Sequence, residues 1–240
     1  MQRIGPLLEL LALQRMSILP LTELPPSPAL ETMLSAANAA RVTQGSHIGG
    51  PAAVGFVMTN RNPEADDQAH WIAFCRRAQQ AAELSLPKPI AQGLIGAMRE
   101  IEENVHIHSE RSADGIVGYR GTANEFEFVV ADSGIGILNS LRASPDYAQL
   151  NDAGSALRTA LADGQSRLRH LDPGRGYGFR NLFVGLADLN GELRFRSGDH
   201  ALTIDGTSPS LVTARLSQKV EIAGFLASVV CRLKPPQILH

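Results

Sequence analysis

The chain has 240 residues, of which 44% are hydrophobic and 19% are charged, and its formal net charge is -2. This length and composition are sufficient for one well-formed core with a smaller appended piece. The near-neutral charge argues against a duplex nucleic-acid binder, which needs a basic surface to neutralise phosphates. Two cysteines, Cys75 and Cys231, stand far apart without a CxxC partner. Neither a disulfide framework nor a zinc ribbon is therefore expected, and a reducing cytoplasm is the default location.

Residues 1–65 are predicted to form a helix-and-strand region whose role the sequence does not reveal. The apolar pattern of residues 1–15 indicates an amphipathic helix that is too short and too interrupted by polar residues to span a bilayer. Ser27 and Pro28 have the signature of a second helix start, a capping hydroxyl followed by proline in the first turn. A glycine cluster ends that helix, and the apolar run at 52–59 predicts a short buried strand.

Residues 66–240 are predicted to form one α/β domain, which a polar turn at 61–70 separates from the first region. The elements expected in chain order are helices at 71–84 and 90–108, a hairpin that turns at 121–124, a breaker-rich stretch at 142–173, a helix at 179–190, and strands at 191–198, 201–206 and 225–233. A breaker-rich stretch of that length inside a compact domain is typical of a functional lid. The order of elements predicts a two-layer α/β sandwich, a mixed and mostly antiparallel sheet with helices on one face.

The first motif that carries chemistry lies on the long helix, in the sequence REIEENVHIHS at 99–109. Glu100 and Asn104 are four residues apart, so their side chains share one helix face. An amide oxygen suits a hard cation such as Mg²⁺, and a neighbouring carboxylate can orient or deprotonate a water. The alternative is a solvated helix face, which this pair alone does not exclude.

The second motif is VVADSGIGILNSL at 129–141, where an apolar strand ends in Asp132 and is followed by Gly134 and Gly136. A carboxylate at a strand end can accept a hydrogen bond from a ligand amine. Glycines without a Cβ allow the backbone to approach a flat ring closely. The alternative is an ordinary tight turn that begins with aspartate.

The third motif is DPGRGYGFRNL at 172–182, in which Gly174, Gly176 and Gly178 alternate immediately before a helix. The unpaired N–H groups of such a helix entrance can face phosphates. It is not a Walker A loop, because no GKS or GKT follows, and Phe179 occupies the place of the third Rossmann glycine. The alternative is a flexible loop that enters a helix.

The order and spacing of the three motifs are more specific than any one of them. The sequence resembles the GHKL superfamily, the Bergerat-fold ATPases that comprise gyrase, the large heat-shock chaperone, histidine kinases and MutL. Glu100 and Asn104 are similar to the family's N box, residues 132–136 to its G1 box and residues 174–178 to its G2 box, with a lid-length gap between the last two. The resemblance covers roughly residues 70–235.

The resemblance implies a histidine-kinase-like ATP-binding domain of Bergerat type, with ATP and Mg²⁺ as cofactors. Asn104 would ligate Mg²⁺, Asp132 would read the adenine amino group, and Glu100 would polarise the attacking water as the catalytic residue. In the family's closing strand a small hydroxyl residue is usual where this chain has Phe225. The remaining implied nucleotide contacts are Gly134, Gly136, Ile137, Gly174, Arg175, Gly176, Tyr177, Gly178 and Phe179.

Two functions follow from this resemblance. One is an ATP-using module that hydrolyses ATP or transfers its phosphoryl group to a separate signalling protein. The other is a non-enzymatic switch or scaffold, in which ATP orders the lid and the ordered lid binds a partner. A self-sufficient histidine kinase is disfavoured, because no helical hairpin bearing an acceptor histidine is expected: the predicted domain has one helix, at 71–84, before the N box, and the N-terminal region is a mixture of helix and strand. A gyrase- or MutL-type machine is disfavoured, because only a few residues follow the last strand. No nucleic-acid or membrane partner is expected, and a homodimer is compatible with the sequence.

Overall fold

The computed structural model describes residues 3–16, 18, 28–43, 45–48, 53–59, 67–110, 115–162, 182, 186, 189–207 and 209–233. Its helices are α1 (Ile4–Arg15), α2 (Pro28–Thr43), α3 (Asp67–Ala82), α4 (Lys88–His108), α5 (Gly136–Arg142) and α6 (Ala153–Leu161), with short 3-10 turns at Pro145–Tyr147 and Leu211–Thr213. Its strands are β1 (Gly45–Ile48), β2 (Ala53–Met58), β3 (Ile116–Gly121), β4 (Phe126–Asp132), β5 (Leu189–Thr207) and β6 (Arg215–Leu233).

The six described strands form one sheet in the order β1-β2-β3-β4-β6-β5. Every neighbouring pair in this sheet is antiparallel. Because β1 and β2 pair directly with β3, the first 65 residues contribute two strands to the same sheet as the later residues. Strand β4, which carries the second sequence motif, lies in the middle of the sheet between β3 and β6.

Helices α3 and α4 cover one face of the sheet. Apolar residues recur at helical spacing along the buried side of α4; they include Leu94, Met98, Ile101 and Val105. They pack against alternate residues of the central strands, such as Phe128, in one continuous core. This layer confirms the predicted α/β sandwich with an antiparallel sheet and helices packed on it.

Helices α1 and α2, from the N-terminal region, pack on the opposite face of the sheet, where they form a second apolar cluster. The first turn of α1 is capped from β4: the carboxylate of Glu127, fully buried, accepts the N–H groups of Ile4 at 2.9 Å and Gly5 at 2.7 Å. Burial raises the pKa of Glu127 in spite of these two hydrogen bonds. Farther along α1, Glu9 accepts hydrogen bonds from Arg194 and Arg196 of β5. Apolar packing and charged contacts therefore both hold α1 to the sheet.

Most of the predicted elements are confirmed, with ends displaced by a few residues. The helices expected at 1–15, 71–84 and 90–108 correspond to α1, α3 and α4, and the predicted hairpin is β3 with β4. The second predicted helix and the strand at 52–59 correspond to α2 and β2. No helix in the described part of the chain combines the length and apolarity that a membrane crossing requires.

Five local expectations are wrong. The glycine-rich segment after α2 contains strand β1, and the polar turn at 61–70 already belongs to α3 from Asp67 onward. The two strands expected at 191–198 and 201–206 are one strand, β5, which continues through an irregularity at Gly198. That strand begins at Leu189, so Leu189 and Asn190, expected in a helix, belong to a strand, and β6 begins ten residues before the expected residue 225.

The stretch at 142–173 is also more regular than predicted in its described first half. Helix α6 buries Ala156, Leu157 and Leu161. Asp152 caps it by accepting the Ser155 N–H at 2.8 Å. The signal was present as an aspartate cap ahead of apolar residues four apart, but the helix is too short for its periodicity to stand out.

Candidate functional site

The candidate site begins at the end of β4, where Asp132 leaves the core. Successive side chains of a strand point to opposite faces, and Phe128 and Val130 pack with α3 and α4 while Val129 packs with α1 and α2. Asp132 therefore continues the row on the α4 side of the sheet. It is also the first residue of β4 that is not fully buried. Alternation and strand length together place the Asp132 carboxylate at the end of this central strand, on the side of the sheet that α4 covers.

The environment of Asp132 is electrostatically unusual. Its Oδ1 accepts the N–H of Gly134 at 2.8 Å, and Phe225 on the paired strand β6 supplies a second backbone N–H. Burial disfavours the charged form and raises the pKa of Asp132 to about 6, and the two backbone hydrogen bonds offset only part of that effect. Perturbed pKa values of this kind cluster at sites that bind a ligand or perform chemistry.

The loop after Asp132 is fixed against the end of α4. The N–H of Ile135 donates to the carbonyl oxygen of Ser109 at 3.0 Å. A Cβ on Gly134 would come within 3.0 Å of the same carbonyl and of the Ser109 side chain. Only glycine permits this close approach. The loop of the second motif and the helix of the first motif are thus in direct contact.

Helix α4 presents the first motif beside this loop. Glu100 and Asn104 are both half-buried and lie one turn apart on the same side of the helix. Between them in sequence, Glu102 is fully buried and its Oε1 lies 2.8 Å from Nε2 of His106, one turn further on. Glu102 is on a different side of the helix from the predicted pair, so we assign it to the anchoring of α4.

Three further residues stabilise the loop, and only one of them, Gly136, belongs to a sequence motif. Gly136 and Gly224 both have left-handed backbones, with φ of 73° and 72°, which favour glycine. Ser197 on β5 bridges their segments: its hydroxyl accepts the Ile137 N–H at 3.0 Å and donates to the Gly224 carbonyl at 2.8 Å. Gly136 was predicted as a site residue. Ser197 and Gly224 were not, because their relation to it depends on the pairing of β5 with β6.

The third motif is not part of the described structure. The predicted phosphate-side residues outside the described residues are Gly174, Arg175, Gly176, Tyr177, Gly178 and Phe179. Their roles stay predictions. The described part of the site therefore contains Asp132 and Asn104, the residues that are predicted to contact the base and the metal.

The described polar side chains suit the adenine amino group, the Mg²⁺ and the water that the sequence predicts. The carboxylate of Asp132 is a strong acceptor for an amino group, and its two protein donors leave lone pairs for another. The carboxamide oxygen of Asn104 is a hard ligand of the type that Mg²⁺ accepts, with water and phosphate oxygens completing the coordination. Glu100 adds a carboxylate one turn away, as expected for a group that orients water.

The structure brings two of the three predicted motifs together, through the contact of Ser109 with Gly134 and Ile135. It does so with residues that are more than twenty positions apart in the chain. No protein-family model matches this sequence, and no curated protein matches it.

Proposed function

We propose that this chain binds Mg-ATP between α4 and the loop after β4, and that it uses the nucleotide as a histidine-kinase-like protein of the GHKL class. The observation that carries the proposal is Asp132, a carboxylate with a pKa of about 6 that a buried strand delivers beside a glycine turn. Burial of an ionised carboxylate lowers the stability of the folded protein, and such a cost is expected where the carboxylate binds a ligand. A ligand amine is the partner that its position favours.

The base end follows from hydrogen-bond chemistry. Adenine carries an amino donor where guanine carries a carbonyl acceptor. An ionised Asp132 only accepts hydrogen bonds, so it would attract adenine and repel guanine at that position. Gly134 allows the loop backbone beside the carboxylate to lie close to α4, because glycine has no Cβ that would clash with Ser109. We therefore expect selectivity for ATP over GTP.

The phosphate end depends on α4. Asn104 would hold Mg²⁺ through its carboxamide oxygen, and Glu100 would orient or deprotonate the water or hydroxyl that attacks the terminal phosphate. When bound, Mg²⁺ supplies charge neutralisation for the phosphate oxygens. The residues of the third motif, 174–178, would complete the site through the N–H groups at a helix entrance.

The outcome of the reaction is either hydrolysis or transfer of the phosphoryl group to a separate protein in a signalling pathway. A test is incubation with Mg²⁺ and γ-labelled ATP, alone and with cell extract, followed by measurement of free phosphate and labelled protein. Appearance of either product supports an enzyme. ATP binding with neither product would leave the switch or scaffold, in which the nucleotide controls binding of a partner.

Binding itself is tested by calorimetry with ATP and GTP in the presence and absence of Mg²⁺. Asp132→Ala is expected to lose the preference for ATP over GTP, because it removes the acceptor that distinguishes the two bases. Equal ATP affinity in wild type and Asp132→Ala would contradict the placement of the base. No heat of binding for any nucleotide with Mg²⁺ would refute the proposed function.

The role of Glu100 makes a separate prediction. Glu100→Ala is expected to retain ATP binding but to slow turnover by about 100-fold or more, the usual contribution of a general base. Glu103→Ala is the matched control, because Glu103 lies on the same helix and is exposed. The measurement is phosphate release under saturating ATP. Equal rates in the two variants would remove Glu100 from the mechanism.

A further inference from the structure

We propose that Ser197 is a positioning residue for the nucleotide loop, acting through the backbone of Gly224 and Ile137 on the placement of Asp132. This inference rests on the proposed function, which gives the loop its ligand. Ser197 lies on β5, about sixty residues from the loop in sequence, and its side chain is 2% exposed. None of the three sequence motifs contains it.

Ser197 uses one hydroxyl to join two segments. Its oxygen accepts the N–H of Ile137, in the first turn of α5, at 3.0 Å. The same hydroxyl donates a hydrogen bond to the carbonyl of Gly224 at 2.8 Å. A half-buried N–H and a buried C=O are thereby satisfied together, which an apolar side chain of similar size does not achieve. The position therefore requires a hydroxyl group, and a side chain that only matches the volume of serine does not replace it.

The geometry of β6 explains why this carbonyl is available. The pairing of β5 with β6 shifts register at this point: Ser197 pairs with Phe225, and the next pair is Gly198 with Ile222. Ala223 and Gly224 thus lie in a bulge, outside the regular ladder. The Gly224 carbonyl accepts a hydrogen bond from the Ser197 side chain.

The bulge lies against the carboxylate that would read the base. A Cβ on Gly224 would come within 3.0 Å of both the backbone oxygen and the Oδ1 of Asp132. On the other side, a Cβ on Gly136 would lie 2.9 Å from the Ser197 hydroxyl. Ser197 therefore holds the two backbone segments that flank Asp132, and it fixes the direction in which that carboxylate faces a ligand.

The test compares Ser197→Ala with the conservative Ser197→Thr and with the control Ser228→Ala. Ser228 is a buried serine on β6 that faces α1 on the opposite side of the sheet, beside Gly5. Ser197→Ala is expected to weaken ATP binding by about tenfold and to lower the ATP-to-GTP preference, because it leaves the Ile137 N–H without its acceptor. Ser197→Thr, which keeps the hydroxyl, should restore both quantities.

Selectivity separates positioning from simple stabilisation. A variant that is only less stable loses affinity for both nucleotides alike, so its preference for ATP stays that of the wild type. Wild-type selectivity in a folded Ser197→Ala would overturn the proposal, as would an equal loss of selectivity in Ser228→Ala.

Amide hydrogen exchange gives a second measurement that needs no nucleotide. The Ile137 amide should exchange at least about tenfold faster in Ser197→Ala than in wild type, and at the wild-type rate in Ser228→Ala. Unchanged exchange in Ser197→Ala would also overturn the proposal. If wild type binds no nucleotide at all, the proposed function fails and the nucleotide role of Ser197 fails with it. The exchange rates would still report whether Ser197 holds the loop.

Discussion

Replacement of Asp132 by asparagine should make the protein more stable at neutral pH while it impairs nucleotide binding. Asparagine has nearly the same shape as aspartate, and its side-chain oxygen can still accept the Gly134 N–H, which lies 2.8 Å away in the wild type. The substitution removes a negative charge from a site where burial raises the pKa of the carboxyl to about 6. It therefore removes the charge while it keeps one acceptor oxygen for the backbone donors, Gly134 and Phe225.

The magnitude follows from the difference between the folded and unfolded pKa values. Folding raises the pKa of Asp132 from 3.8 to about 6, so the folded protein binds this proton more tightly than the unfolded chain does. The stabilisation is fully present below pH 4 and is lost as the pH rises through 6. Above pH 7 the ionised carboxylate lowers the free energy of unfolding by about 3 kcal/mol relative to the protonated form.

The assay is urea denaturation of wild type and Asp132→Asn between pH 5 and pH 8. The variant should be more stable than wild type by about 1–3 kcal/mol at pH 8, and this advantage should shrink towards pH 5. Asp146→Asn, at an exposed aspartate, is the control and should show no such trend. A stability difference for Asp132→Asn that is the same at pH 5 and pH 8 would refute the reasoning, as would lower stability of the variant at pH 8.

The same variant tests why a destabilising carboxylate is present. If Asp132 serves the adenine amino group, Asp132→Asn should bind ATP more weakly than wild type at pH 8 even though it is more stable. Wild-type affinity for ATP should also contain a component that weakens as the pH falls through 6, and Asp132→Asn should lack it. A gain in stability with a loss of ligand is the trade-off expected at a binding site.

Three further substitutions test the contacts around the site and the docking of α1. Gly134→Ala places a Cβ within 3.0 Å of the Ser109 carbonyl, so it should destabilise the protein by about 1–3 kcal/mol and weaken ATP binding, as measured by thermal unfolding and calorimetry. Gly96→Ala, on an exposed part of α4 with open space around it, should instead stabilise by about 0.5–1 kcal/mol, and the reverse order of the two variants would contradict the packing described here. Glu127→Ala removes the carboxylate that caps α1 and should lower the free energy of unfolding by about 2 kcal/mol, with faster exchange of the first amides of α1. Unchanged exchange there would show that apolar packing alone holds the helix.

Local patterns in the sequence predicted the elements that carry the site. The buried side of α4 has a long 3.6-residue period, and its Pro-rich start marks where the helix begins. The hairpin of β3 and β4 shows alternation on both sides of a turn at 121–124. These signals extend over many residues, so a single exception does not hide them. The short elements β1, α5 and α6 lack that redundancy, and the sequence missed them.

The merging of the predicted strands at 191–198 and 201–206 into β5 has a different cause. Gly198 has a positive φ and reads as a break in the sequence. In the structure it lies at a register shift, and the strand continues because β6 pairs with it on both sides of the irregularity. A bulge and a strand end have the same local sequence signal, and only the partner strand distinguishes them.

The sequence by itself therefore determined the long helices and the central hairpin, and that a carboxylate follows a buried strand in the middle of the chain. Periodicity encodes this information, because burial of one face acts on every turn of a helix and every second residue of a strand. Only the tertiary structure decided that Ser109, Ser197 and Gly224 surround the loop that begins at Asp132. These contacts join residues that are distant in the chain, and they depend on register, on a bulge and on close backbone approach, which no local pattern specifies.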